Sequence, residues 1–219
     1  LQEFEGKDEG SLSSIAHGGE NYDLKALINV PIIEDKLAVR TSAYYTKMGG
    51  YIDNITTGEK DVNNGDSKGG KLALRLQATD NFTVDFSFFH HDYSDNGRPE
   101  DLDRTPYLSR DFTSFDGYDD EMQVYNLSLD YDFGWASLVS STTHFDREVF
   151  NRRSLDTLFE TALPPGITPH ELVDNTNWDV WVQEVRLAST TDSPLQWTVG
   201  GYWDKKDVLY LNTFPVEFY

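Results

Sequence analysis

Apolar and polar residues alternate along much of this chain with a period of two. Residues i, i+2 and i+4 lie on one face of a β-strand, so this pattern is typical of strands. No stretch longer than a few residues has the i, i+3, i+4 spacing of a helix. The clearest apolar rows are Tyr22–Val30, Leu37–Tyr45, Leu72–Leu76, Phe82–Phe88, Tyr125–Phe133, Val185–Leu187 and Trp197–Trp203. With weaker segments at Phe4–Ser14 and Trp135–Phe145, the pattern predicts an all-β chain of about nine strands.

The connections between these strands alternate in length. Short segments rich in turn residues are Pro31–Lys36, Ala78–Asn81, Asp132–Trp135 and Ser189–Pro194. Long polar segments lie between them at Met48–Asp66, Tyr93–Asp120 and Asp146–Asp179. The alternation predicts an antiparallel up-and-down meander with tight turns at one edge and three long loops at the other. Loops of such length are usually functional.

Alternation alone fits either a soluble β-sandwich or a transmembrane β-barrel. The polar positions suit a wet barrel interior, and they also suit a solvated sheet face; they include Arg40, Lys71, Arg75, Asp85, Asp130, Glu184 and Arg186. Short turns, long loops and alternating strands of about ten residues are the signature of an outer-membrane barrel. The pattern therefore favours the barrel and leaves the sandwich as the alternative.

Aromatic residues cluster near the predicted strand ends, as expected of the aromatic girdles at membrane interfaces. Aromatic residues are also good strand formers and core residues, which is the other interpretation. The residues concerned are Tyr22, Tyr44, Tyr45, Phe82, Phe88, Phe89, Tyr131, Phe133, Trp135, Trp181, Trp197, Tyr202 and Trp203.

Composition excludes several classes of function. The 219 residues contain 38 Asp and Glu against 18 Lys and Arg, a net charge of −20, which argues against a nucleic-acid partner. Cysteine is absent, so the chain has no disulfide, zinc–thiolate site or cysteine nucleophile. No apolar run approaches the ~18 residues of a spanning helix, and Leu1–Glu5 does not read as a signal peptide.

Seven short segments match, in order, segments of one known protein family: Leu1–Gly6, Ile28–Ile32, Asp35–Arg40, Gly49–Asn54, Asp61–Asn63, Gln183–Ala188 and Ser193–Tyr202. In these segments the chain resembles the TonB-dependent receptors of Gram-negative outer membranes. The resemblance implies a transmembrane barrel of roughly 22 strands, occluded by an N-terminal plug. Residues 1–219 would then be part of that barrel, without the plug or the C-terminal strands.

The resemblance also implies a location and partners. The chain would lie in the outer membrane, in contact with lipid and lipopolysaccharide. The missing plug would couple the receptor to the TonB complex, which drives uptake of a scarce small-molecule nutrient: a siderophore, vitamin, oligosaccharide or aromatic compound. A soluble carbohydrate-binding β-sandwich module and a passive porin are the alternatives.

Candidate ligand-binding residues combine aromatic rings, which stack on ligand rings, with arginines that hold carboxylates. Four lumen-facing cations are predicted: Arg40, Lys71, Arg75 and Arg186. Seven residues are predicted in the external loops: Tyr51, Tyr93, Arg98, Tyr107, Arg110, Tyr118 and Trp178.

Other chemistry is weakly indicated. Asp92–Asp103 partly matches a calcium loop, but Pro99 interrupts it. His90 and His91 are adjacent in a predicted strand and so should point to opposite faces. Acidic residues such as Asp101, Asp103, Asp119, Asp120 and Glu121 carry no catalytic motif. The sequence therefore predicts no enzyme, no metal site and no cofactor.

Overall fold

The computed structural model describes residues 3–98, 108–112, 116–155, 167–169 and 171–218. Within these ranges the chain contains strands and no helix. The strands are β1 (Glu5–Ser14), β2 (Glu20–Ile33), β3 (Leu37–Met48), β4 (Asp53–Asn54), β5 (Gly65–Thr79), β6 (Phe82–Asp95), β7 (Ser109–Arg110), β8 (Gly117–Asp132), β9 (Ala136–Ser154), β10 (Ile167–Pro169), β11 (Glu171–Ser189), β12 (Thr198–Thr213) and β13 (Val216–Phe218). None of the described residues forms a helix that is long and apolar enough to cross a membrane.

Nine long strands form one antiparallel sheet in the order β1-β2-β3-β5-β6-β8-β9-β11-β12. Each strand pairs with the next long strand in the chain, which confirms the predicted all-β meander. In the described residues β1 and β12 are the two edges, so the sheet is not closed into a barrel. Two short pairs lie outside this sheet, β4 with β7 and β10 with β13.

The connections between strands are short at one end of the strands and long at the other, as the sequence predicts. Tight turns join β2 to β3, β5 to β6 and β8 to β9, and Gly134 adopts φ +84 in the last of these. The long connections 49–64, 96–116 and 155–170 begin at the opposite ends of the strands. The predicted loop bounds were too wide, because β8 begins at Gly117, β9 extends to Ser154 and β11 begins at Glu171.

The two faces of the sheet differ in polarity. Leu74, Phe86 and Leu127 lie side by side on what we call the apolar face, while Arg75, Asp85 and Ser128 lie side by side on the polar face. Apolar-face side chains are exposed, for example Leu24 at 57% and Leu127 at 41%. A sandwich would cover this face with a second sheet, and no second large sheet is present in the described part of the chain.

Two rows of aromatic rings cross the apolar face. The turn-side row runs through Phe82, Tyr131, Phe133, Trp135 and Trp197, with successive ring centroids 4.6–6.2 Å apart. The loop-side row runs through Phe88, Tyr125, His144 and Trp181, with centroids 4.3–6.1 Å apart. Phe82 and Phe88 are six residues apart in β6, which separates the rows by about 20 Å. We call the surface between the rows the apolar belt.

The apolar face changes character beyond the loop-side row. Asp92, Glu121 and Glu148 lie side by side there, so the extended ends of β6, β8 and β9 are acidic on this face. Strand parity places three of the aromatic residues grouped in the sequence on the polar face, away from these rows: Tyr44, Phe89 and Tyr202.

Candidate functional site

The four predicted cations all lie on the polar face, since their strand partners share its parity. Arg75 donates to Asp85 through Nε at 2.6 Å and through Nη2 at 2.8 Å. Arg40 and Lys71 lie nearby on β3 and β5. Arg186 is on β11, four strands from β5, so it does not form one cluster with the other three.

The first two long loops pack against each other and against the end of β9. Strand β4 pairs in parallel with β7, and Ile52 beside it is only 1% exposed. Asn63 Oδ1 accepts hydrogen bonds from the backbone N–H groups of Tyr51 and Ile52, at 2.7 and 2.8 Å. Asn54 Nδ2 donates to the carbonyl of Phe112 at 2.8 Å. These contacts hold the loops in a defined arrangement.

Arg110 is one of the residues that hold the loops together. Its guanidinium is buried, forms an ion pair with Asp116 and lies 4.3 Å from the ring centroid of Phe112. Asp116 also accepts a hydrogen bond from the backbone N–H of Ser154 at 2.6 Å. Through its burial and its pairing with Asp116, Arg110 helps to hold the loops together.

Three predicted residues lie in or near these loops. Arg98 is beside the same carboxylate, with its Nε 3.9 Å from Asp116. Tyr51 is held through its backbone, as described above. Tyr107 lies outside the described residues.

The other predicted aromatic residues come together on the polar face, beyond the apolar belt on the loop side. Tyr93, Tyr118, Asp120, Arg147 and Trp178 make up what we call the tyrosine–arginine cluster. The rings of Tyr93 and Tyr118 meet edge to face at 5.9 Å. Arg147 lies directly opposite Trp178 in the β9–β11 pair, with its guanidinium carbon 5.3 Å from the indole centroid.

Charged hydrogen bonds fix the centre of this cluster. Arg147 donates to both carboxylate oxygens of Asp120, with Nε 2.8 Å from Oδ1. The Tyr118 hydroxyl donates to Asp120 Oδ2 at 3.1 Å, and the Tyr93 hydroxyl donates to Asp95 Oδ2 at 2.9 Å. All five cluster side chains are half-buried, whereas Asp119, Glu121 and Glu148 on the opposite face are exposed.

The cluster lies beyond the belt, and its burial and charges shift several pKa values. Hydrogen bonds from Arg147 lower the pKa of Asp120, and Asp120 raises the pKa of Arg147 in return. Burial raises the pKa of Tyr93 to about 12 and also raises the pKa of Tyr118. At neutral pH the two phenols are therefore protonated hydrogen-bond donors beside an ion pair.

A second group of aromatic rings lies on the polar face next to the tyrosine–arginine cluster, on the side toward the belt. The Tyr44 hydroxyl and His91 Nδ1 are hydrogen bonded, and the rings of Phe89 and His91 are stacked at 6.4 Å. These residues, Asp120 and Arg147 were not among the ligand-binding residues predicted from the sequence. Strand parity could have indicated some of them, because Phe89, His91 and Tyr93 alternate on one face of β6.

The arrangement presents rings, phenolic oxygens that can still accept hydrogen bonds, and a neutralised ion pair. These groups suit a ligand with ring faces and hydroxyl groups.

The first residues of the possible calcium loop belong to a strand, because Asp92–Asp95 are part of β6, where Asp92 and Ser94 point to the same face. Glu100 and Asp103, from the rest of that loop, lie outside the described residues. His90 and His91 lie on opposite faces, which confirms that prediction.

No family model, curated protein or solved structure matches this chain.

Proposed function

We propose that this chain is part of the barrel of an outer-membrane TonB-dependent receptor that captures a small-molecule nutrient at its external loops. The sheet would continue from the edges β1 and β12 into further strands of a closed barrel. The apolar face would contact lipid, the polar face would line the lumen, and the loops 49–64, 96–116 and 155–170 would lie outside the cell. The assignment to this family rests on the resemblance of the short segments.

The apolar belt is the observation that carries the membrane part of the proposal. Outer-membrane barrels have an outward apolar band about 25 Å tall, bounded by aromatic girdles. The belt here is about 20 Å tall in β6 by the strand rise, and its exposed residues include Leu127 and Val185 at 41% and 39%. The opposite face carries charged residues at the same height, including the Arg75–Asp85 pair.

The tyrosine–arginine cluster supports the capture part of the proposal. Strands of 19 residues, such as β9 and β11, are longer than the 9–11 residues that cross a bilayer. Their loop-side ends would therefore project from the membrane. Trp178 lies on the extension of β11, and Tyr93 and Tyr118 lie at the loop-side ends of β6 and β8. Together they would form one wall of an external ligand site.

A fluorescence experiment tests the membrane part. One variant keeps Trp181 alone, with the other tryptophans changed to Phe. A matched variant also changes Trp181 to Phe and carries Val182→Trp, which places one indole at the same height on the opposite face. Both variants are folded in micelles of a detergent that carries bromine in its alkyl tail, because bromine quenches indole fluorescence on contact.

We expect strong quenching of Trp181 and weak quenching of the tryptophan at position 182. Equal quenching of the two variants would contradict a lipid-facing apolar belt. Weak quenching of both would favour a soluble binding module. In either case the membrane assignment would fail.

The capture part is tested with a chain that keeps Trp178 alone. Its fluorescence is titrated with a soluble oligosaccharide, a ferric siderophore and a corrinoid vitamin. A bound ring or sugar near Trp178 should change the emission, and Tyr93→Ala should weaken that response about five-fold, equivalent to about 1 kcal/mol. A chain that responds to no member of the panel would favour a passive pore over a receptor.

A further inference from the structure

The geometry points to a divalent transition-metal site formed by His144, Asp146 and Asp179 on the apolar face, at the loop-side edge of the belt. One ring nitrogen of His144 and one oxygen of each carboxylate all lie within 4.8 Å of one another. Two atoms that each lie about 2.0–2.2 Å from one zinc ion are at most about 4.4 Å apart, so small side-chain rotations would bring all three donor atoms to one ion. This inference does not depend on the proposed transport function.

Strand geometry brings the three residues together. His144 and Asp146 are two residues apart in β9, so their side chains lie on the same face. Asp179 in β11 lies directly opposite Asp146. The Nε2 atom of His144 is 3.3 Å from Asp179 Oδ2, so the imidazole already points toward the second strand.

Aromatic neighbours hold the imidazole in this orientation. The His144 ring stacks on Trp181 with centroids 4.3 Å apart and planes at 18°. On its other side it stacks on Tyr125 at 6.1 Å, again at 18°. A ring fixed in this way loses little rotational freedom when it binds an ion, and preorganisation of this kind favours binding.

The charges of the site also favour a cation. Asp146 and Asp179 are directly opposed across two strands, and like charges in that position destabilise a sheet. Asp207 lies opposite Asp179 on the next strand, where it is paired with Lys205 at 2.6 Å. A divalent ion between Asp146 and Asp179 would replace their repulsion with attraction to a shared charge.

The donor set indicates the class of metal. An imidazole with two carboxylates suits Zn²⁺ and other first-row divalent ions, whereas Mg²⁺ and Ca²⁺ prefer oxygen ligands alone. Three protein ligands leave at least one position open to water. The site could not be predicted from the sequence, because the third ligand is 33 residues from Asp146 and completes no known motif.

The chain provides a matched control on the same face. His90 and Asp92 repeat the two-residue spacing in β6, and Glu121 lies directly opposite Asp92. Asp92, however, forms an ion pair with Lys68 at 3.3 Å. Of the described residues, His144, Asp146 and Asp179 are the group whose donor atoms converge.

The experiment is isothermal titration calorimetry of the full chain, folded in micelles, with ZnCl₂ and separately with MgCl₂. The variants are His144→Ala and Asp179→Asn, with His90→Ala as the control. Far-UV circular dichroism establishes that each variant keeps its β-sheet signal. Asp179→Asn is the second variant because it keeps the side-chain volume if His144→Ala fails to fold.

We expect one Zn²⁺ per chain, with Mg²⁺ bound at least ten-fold more weakly. His144→Ala and Asp179→Asn should each weaken Zn²⁺ binding at least ten-fold, while His90→Ala leaves it unchanged. Zn²⁺ affinity that is unchanged in a folded His144→Ala or Asp179→Asn variant would overturn the proposal. Loss of binding in His90→Ala to the same extent, or equal affinity for Mg²⁺, would overturn it as well.

Discussion

At the scale of single residues, the Asp120–Arg147 pair carries a prediction about stability and pH. Asp120 has a lowered pKa in the folded chain because Arg147 hydrogen-bonds to its charged form. The stabilisation is therefore fully present above the unfolded Asp pKa of about 3.9 and is lost as pH falls through the lower folded value. We expect Arg147→Met to reduce the unfolding free energy at pH 7 by about 1 kcal/mol, because Arg147 is partly exposed.

Urea unfolding in micelles at pH 7 and at pH 3 measures this effect. The difference between Arg147→Met and the unmodified chain should shrink at the lower pH. Arg153→Met is the matched control, because Arg153 lies on the same strand and face but is exposed. A pH-independent loss in Arg147→Met would show that the guanidinium acts through packing and not through the carboxylate.

Tyr93 carries a second residue-scale prediction. Burial disfavours its tyrosinate and raises its pKa to about 12, so the phenol adds stability that is present below the unfolded value of about 10 and is lost as pH rises through 12. The tyrosinate absorbance of the chain minus that of Tyr93→Phe should therefore appear only above about pH 11. In denaturant the same difference should appear near pH 10. A folded difference that also appears near pH 10 would contradict the burial.

Strand parity predicted the face of the cations, because Arg40 and Arg75 alternate within well-patterned strands. Tyr93, Tyr118 and Trp178 were predicted in external loops and lie instead in β6, β8 and β11. The role of Arg110 could not be predicted, because its burial depends on Asp116 and Phe112, which approach it only when the loops fold. The His144 site depends on the register between β9 and β11, which no local pattern specifies.

At the scale of elements, alternation located all nine long strands but shortened several of them. The missed parts include the loop-side ends of β8, β9 and β11, where acidic and polar residues occupy the face that is apolar inside the belt. Asp and Asn are poor strand formers, so such segments look like loops in sequence. Pairing with neighbouring strands overrides that preference, as the continuous register from Gly117 to Asp132 shows.

The two faces of β8 give an element-scale prediction. Leu127 lies midway along the belt on the apolar face, and Ser128 lies beside it on the polar face. If the belt contacts the apolar part of a micelle, Leu127→Arg should cost about 2–4 kcal/mol of unfolding free energy, because a charge on the lipid face is poorly solvated. Ser128→Arg should cost far less. Urea titration in micelles compares the two, and equal costs would count against a lipid-facing surface.

A loop glycine gives another prediction at this scale. A Cβ atom on Gly50 would lie 2.0 Å from the carbonyl oxygen of Asp61, so Gly50→Ala must displace the first long loop. Gly201→Ala is the control, because an added Cβ there has no neighbour within 4 Å. We expect faster tryptic cleavage at Lys60 in Gly50→Ala only. Unchanged cleavage would show that the loop tolerates the displacement.

At the scale of the whole molecule, a single open sheet poses two problems in water. Its apolar face exposes large side chains, including Trp203 at 56% and Val199 at 60%. Its edge strands β1 and β12 leave backbone groups unpaired in the described residues, which favours association with other chains. The described sheet does not itself cover its apolar face or pair its edge strands. An apolar medium or another protein chain is needed to do so.

The final prediction follows from these two problems. The chain should be insoluble or aggregated in plain buffer, and it should gain the far-UV circular dichroism of β-sheet when detergent micelles cover the apolar face. Sedimentation and circular dichroism in the two solvents measure this directly. Replacing Leu74, Phe86 and Leu127 with Ser should reduce the dependence on detergent, because these side chains form the centre of the belt. A monodisperse β-sheet protein in plain buffer would contradict the barrel-segment proposal, because a folded sheet would then remain stable with its apolar face in water.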